Sequence, residues 1–184
     1  MRIVLALIAA LASPASFQSS VKPLPTPLKQ ELRSGGFWHP GCPVARKDLR
    51  LLTVTYRDFQ GDDQQGQLIV NERAARPLGR VFRKLYRQHF PIHHMALDDF
   101  YGPKSGRVAD PTASFECREA ASSPCSGGGG TGSWSQHAYG LAVDVNPHEN
   151  PYVGCGMSRD PTLRKYRDRS HHYRGMVTRR AIRA

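Results

Sequence analysis

Two β-rich runs followed at once by an amphipathic helix constrain this chain more than any other feature of it. Leu51-Leu52-Thr53-Val54-Thr55-Tyr56 predicts a strand, and Leu68-Ile69-Val70 reads as its hairpin partner. Between them, Asp58 to Gln67 carries Gly61 and Gly66 among polar residues, which predicts a turn. Asn71 is a good helix cap, and Ala75, Leu78, Val81, Phe82 and Leu85 follow at helical spacing. A helix is therefore expected from about Glu72 to Gln88. Pro77 falls inside it and either kinks it or marks its true first turn. Arg80, Arg83, Lys84 and Arg87 occupy the opposite face, as expected of a solvated surface. Strands and a helix in this arrangement indicate an α+β fold, with helices on one side of a sheet.

The chain has 184 residues, room for one ordinary domain. With 39% hydrophobic and 22% charged residues, it is neither a disordered tail nor a membrane bundle. A net charge of +11 and a pI near 10.0 favour acidic partners. The N-terminus narrows the choice among them. Arg2 precedes an apolar run from Ile3 to Ala12, and small residues follow at Ser13 and Ala15. This is the pattern of a signal peptide over residues 1–16, too short to remain as a membrane span. Export to a periplasmic or extracellular location removes most of the case for nucleic acid and leaves anionic cell-envelope polymers. It also permits disulfides among Cys42, Cys117, Cys125 and Cys155, whose three full pairings the sequence does not separate. No C-x-x-C pair, P-loop or dinucleotide-binding turn occurs.

Residues 17–37 are rich in Ser, Pro, Lys and Gly and read as a linker, so the domain is expected over residues 38–184. His93-His94-Met95 leads into a possible strand, on which adjacent histidines would face opposite ways and share no metal. Four consecutive glycines, Gly127 to Gly130, predict a mobile loop. The stretch from Arg159 to Ala184 holds nine Lys or Arg against two Asp.

Ser135-Gln136-His137-Ala138-Tyr139-Gly140-Leu141-Ala142-Val143-Asp144-Val145-Asn146-Pro147 carries the chemistry. Leu141, Val143 and Val145 alternate with Ala142 and Asp144, a strand pattern that sets Asp144 opposite the large apolar residues. A carboxylate in such a setting needs a partner, either one of the many arginines or a metal. Gly140 permits a turn that could bring His137 and Asp144 to one ion, and both residue types are ordinary zinc ligands.

The pattern Ser-x-His-x-x-Gly-x-Ala-x-Asp followed by Asn-Pro resembles the zinc-site signature of the D-alanyl-D-alanine carboxypeptidase family. That family includes D-Ala-D-Ala dipeptidases and the L-alanyl-D-glutamate peptidases of phage endolysins. Trp38 with Gly41-Cys42-Pro43, Tyr56 to Gly61, Phe90-Pro91-Ile92, Ser114-Phe115-Glu116-Cys117-Arg118 and Asn150-Pro151-Tyr152-Val153 resemble the endolysin-like branch in the same order. The resemblance implies an α+β domain with a small antiparallel sheet carrying a zinc site and flanked by helices. It implies a secreted zinc peptidase acting on peptidoglycan stem peptides, with Zn2+ on His137 and Asp144. Arg118 would contact the scissile carbonyl, and Ser135 would lie near the substrate.

The family's third zinc ligand, a His in a Trp-rich segment close to the C-terminus, has no counterpart before Ala184. The same holds for the catalytic carboxylate just ahead of that His. The expectation is therefore a C-terminally incomplete domain with impaired activity, in which Thr178 to Ala184 begins a helix and His171 and His172 lie in an exposed loop. A non-catalytic wall-binding or zinc-stabilised module of the same fold is the alternative. A polyanion binder driven by the basic C-terminal segment is a third class, marked by salt dependence without zinc dependence.

Overall fold

Odd and even positions of the hairpin point to different cores, and this layering organises the molecule. The computed structural model describes residues 16–120, 132–157 and 159–179. Strands β1 (Ser19–Pro23), β2 (Leu49–Arg57) and β3 (Asp63–Asn71) form an antiparallel sheet in that order. On the even face, Leu52, Val54, Tyr56, Leu68 and Val70 pack with Ala75, Phe82 and Leu85 of helix α2 (Glu72–Arg87). On the odd face, Leu49 and Ile69 pack with Leu28 and Leu32 of helix α1 (Thr26–Ser34), and with Phe37 and Phe115. The fold is α+β with a small antiparallel sheet, as expected, but helices lie on both faces rather than one.

Helix α2 follows its sequence pattern closely. The Asn71 side chain accepts a hydrogen bond from the Arg73 N–H and caps the first turn. Pro77 sits within the second turn rather than opening the helix. Arg80, Arg83 and Arg87 are exposed, the solvated face predicted for them. Gly79 lets β1 come close, since a Cβ there would lie 2.9 Å from Ser19 Oγ.

Three expectations are corrected. Residues 17–37 are not a linker: they form β1 and α1, and Leu24, Leu28 and Leu32 are buried. The hairpin turn is shorter than Asp58–Gln67, because residues 63–67 already pair with β2. Gly66 belongs to the strand because Met95 crosses over it, and a Cβ there would lie 2.8 Å from the Met95 side chain. Finally, neither His93–Met95 nor Leu141–Val145 forms a regular strand; each is extended chain with an isolated bridge, His94 to Pro111 and Asp144 to Ala113.

Met95, Phe115 and Gly140, on three separate irregular segments, cover the open edge of β3. The Gln67 N–H bonds to Met95 O at 2.7 Å, the Phe115 N–H to Ile69 O at 3.2 Å, and the Asn71 N–H to Gly140 O at 2.9 Å. An edge strand left bare would invite pairing with another chain. A disulfide joins Cys42 to Cys117, and Cys155 is disulfide-bonded as well. No helix among the described residues is long and apolar enough to cross a membrane. Residues 1–15 of the expected signal peptide, Cys125, the loop at Gly127–Gly130 and the last five residues of the expected terminal helix lie outside the described residues.

Candidate metal centre

Two antiparallel segments, 112–120 and 133–146, build the site beside β3. They are laced by reciprocal bonds between Ala113 and Asp144 (3.1 and 2.9 Å), and by Glu116 N–H to His137 O (3.3 Å) and Ser135 N–H to Arg118 O (3.1 Å). Phe115, fully buried, anchors the first segment in the core on the α1 side. The second segment makes a tight turn over Ser135–Leu141, closed by Ala138 N–H to Ser135 O and Gly140 N–H to His137 O, each 2.9 Å. Gly140 has φ +65, and a Cβ there would lie 2.7 Å from Asn71 N. The Asn71 side-chain amide also donates to Tyr139 O at 3.0 Å. The residue that caps α2 thus seats the turn.

The turn brings His137 and Asp144 together, with His137 Nε2 3.4 Å from Asp144 Oδ2. His137 Nδ1 lies 2.6 Å from the Ser114 carbonyl, which can only accept, so Nδ1 carries the proton and Nε2 faces the carboxylate. The pair is unequally covered: the His137 side chain is 15% exposed and that of Asp144 61%. This corrects the expectation of a carboxylate in an apolar setting. Val143 and Val145 do pack against the core, but Leu141 is exposed and Asp144 opens to solvent. The hydrogen bond to Asp144 raises the His137 pKa above its ordinary value; burial opposes this, the Ser114 carbonyl assists, and the charge of Arg118 opposes.

Arg118 adjoins the turn through its carbonyl, which accepts the Ser135 N–H. It is exposed, and its Nε donates to Glu116 at 2.8 Å. Ser135 is buried, and its hydroxyl accepts the His137 N–H at 3.2 Å, which stiffens the turn. His171 and His172 are exposed, and His171 pairs with Asp168 at 2.8 Å. The Ser170 hydroxyl and backbone N–H, together with His171, hold the Asp168 pKa down at about 2.

The donor chemistry suits a zinc ion. A separation of 3.4 Å between Nε2 and Oδ2 matches the edge of a tetrahedron of ligands at about 2.0–2.1 Å. An imidazole whose second nitrogen donates to a backbone carbonyl is the usual arrangement of a metal-binding histidine. Among the described residues, no third His, Cys, Asp or Glu is grouped with this pair. Cys42 and Cys117 lie near His39, but their sulfurs are joined to each other and offer no thiolate.

Asn146 is a structural residue that sequence reasoning missed. It is fully buried with φ 44, and its amide donates to Pro91 O (2.9 Å) and Gly175 O (3.1 Å) while accepting the His93 N–H (3.1 Å). Its place beside a proline at the end of the motif was the only available signal.

A histidine–carboxylate pair held on a glycine turn is a donor set that a divalent metal ion can use. A family model described as D-alanyl-D-alanine carboxypeptidase matches residues 128–180, a minority of the chain that contains both His137 and Asp144. The match supports a peptidase of carboxypeptidase type. No curated protein and no solved structure matches the chain.

Proposed function

We propose that this protein is an exported zinc peptidase acting on peptidoglycan stem peptides, as a carboxypeptidase or an L-Ala-D-Glu-type endopeptidase. The observation that carries the reading is the His137–Asp144 pair, oriented by the Ser114 carbonyl and lying inside the matched segment. His137 and Asp144 would hold the ion, which when bound polarises a carbonyl and acidifies water. Ser114 keeps His137 in the tautomer with Nε2 available. Arg118 would steady the negative charge that develops on the scissile carbonyl oxygen, after exchanging Glu116 for the substrate. Ser135 holds the turn and borders the substrate. The +11 charge suits an anionic envelope.

Chelator-sensitive release of product from synthetic stem peptides is the test. His137→Ala and Asp144→Ala should each abolish it, and Arg118→Met should lower kcat by about 10²–10³-fold. An equal number of zinc equivalents, bound with equal affinity, in wild type and both ligand variants would overturn the metal assignment. A second reading, a non-catalytic wall-binding or zinc-stabilised module, is favoured by the engagement of Arg118 with Glu116. It predicts zinc uptake and binding to cell-wall sacculi without hydrolysis of either type of peptide bond.

A further inference from the structure

A second cluster of metal-binding side chains lies where residues 110–112 meet residues 146–149. His93 Nε2 is 3.2 Å from Glu149 Oε1 and 3.8 Å from Asp110 Oδ2. One donor atom from each of the three residues lies within 4.8 Å of the others. Both carboxylates are deeply covered, with side chains 10% exposed for Asp110 and 8% for Glu149. Each has an oxygen that is buried without any hydrogen-bond partner, Asp110 Oδ2 and Glu149 Oε2. Leaving such an atom unpaired is destabilising, and more so when it is charged. Two such carboxylates beside one imidazole point to a cation site.

The remaining contacts hold the cluster in place. Asp110 Oδ1 accepts the His148 N–H at 2.8 Å, which leaves Oδ2 on the His93 side. Tyr166 donates to Glu149 Oε1 at 3.3 Å. Phe59 stacks on the His93 ring at 3.6 Å between centroids, and the His93 N–H bonds to Asn146. Separations of 3.2 and 3.8 Å bracket the edge expected for donors at about 2.0–2.2 Å from one ion. One imidazole with two carboxylates, and no sulfur, suits a first-row divalent ion such as Zn2+ or Mn2+ rather than Cu(I).

We propose that His93, Asp110 and Glu149 form a second divalent-metal site that clamps the 146–177 segment onto the core. Glu149 and its partners Tyr166 and Arg169 lie on that segment, whereas His93 and Asp110 lie on the body of the fold. His94, adjacent in sequence, is exposed and takes no part.

The test uses the chelator-stripped full chain carrying His137→Ala and Asp144→Ala, so that only the second site remains. Titration with Zn2+ and with Mn2+, followed by calorimetry and thermal melting, should show one equivalent bound and a raised Tm. Adding Glu149→Gln, which keeps the side chain's shape, should remove both the uptake and the Tm shift; His93→Gln should do the same. The outcome does not depend on peptidase activity, so it stands or falls apart from the proposal for His137 and Asp144. A folded His137→Ala/Asp144→Ala protein that takes up neither ion would overturn the site. So would uptake unaffected by Glu149→Gln and His93→Gln.

Discussion

His137 is offered two positive partners for one nitrogen, a proton and a metal ion. The hydrogen bond to Asp144 lifts its pKa above the ordinary value. In the metal-free protein this favours the folded state below the unfolded pKa of about 6.5, and the contribution is lost as pH rises through the higher folded value. Zinc uptake runs the other way, because the ion needs the unprotonated Nε2. Zinc affinity should therefore climb as pH rises through the raised pKa, with release of a proton from His137 on binding. Calorimetry in buffers of differing ionisation enthalpy measures that proton count, and an affinity that is flat from about pH 6 to 8 would contradict the coupling. The His–Asp pair was legible in sequence because only six residues, Gly140 among them, separate its members, in a pattern that resembles a zinc-site signature. The His93 cluster was not, because Asp110 and Glu149 meet His93 only through the fold, and no local spacing marks them.

Gly140 ties the site turn to the sheet. Its carbonyl accepts the Asn71 N–H, and its positive φ leaves no room for a Cβ against the β3–α2 junction. Gly140→Ala meets both a left-handed backbone and a 2.7 Å contact with a backbone nitrogen. A loss of about 1–3 kcal/mol in stability is expected, with a larger loss in zinc affinity, since the turn that sets His137 must move. Denaturant unfolding and zinc titration of the same variant check this; unchanged zinc affinity would separate the turn from the site. At this scale α2 was readable from its helical period, since one face of it is buried, and the hairpin from its continuous β-rich runs, since both of its faces are covered. The strand predicted through Leu141–Val145 was not realised. Its alternation is genuine, with Val143 and Val145 inward, but only Asp144 finds a bridging partner.

Across the whole molecule, the N-terminal segment completes what the hairpin begins. Ser, Pro and Lys disguised it as a linker, although Leu24, Leu28 and Leu32 recur every fourth residue and fill the odd-face core. That core also holds Phe115 and Cys117, so the layer beneath α1 is the floor of the candidate site. The Cys42–Cys117 disulfide crosses the same layer and closes a span of 75 residues containing the whole hairpin and α2. Chain-entropy arguments assign a loop of that length about 4 kcal/mol, of which strain and residual structure leave about 2–4 in practice. Arg118 follows Cys117 directly, so the bond also restrains the segment that carries the candidate substrate contact. Cys42→Ser/Cys117→Ser should therefore lower the unfolding free energy by that amount and weaken any activity more than zinc binding, because the turn that carries His137 is docked on Asn71 as well as bonded to Ser114 and Glu116. Paired urea melts and zinc titrations decide it. An unchanged midpoint would show that the core alone fixes this layer, and a zinc affinity that falls in step with stability would show that the two halves of the site are not independently held.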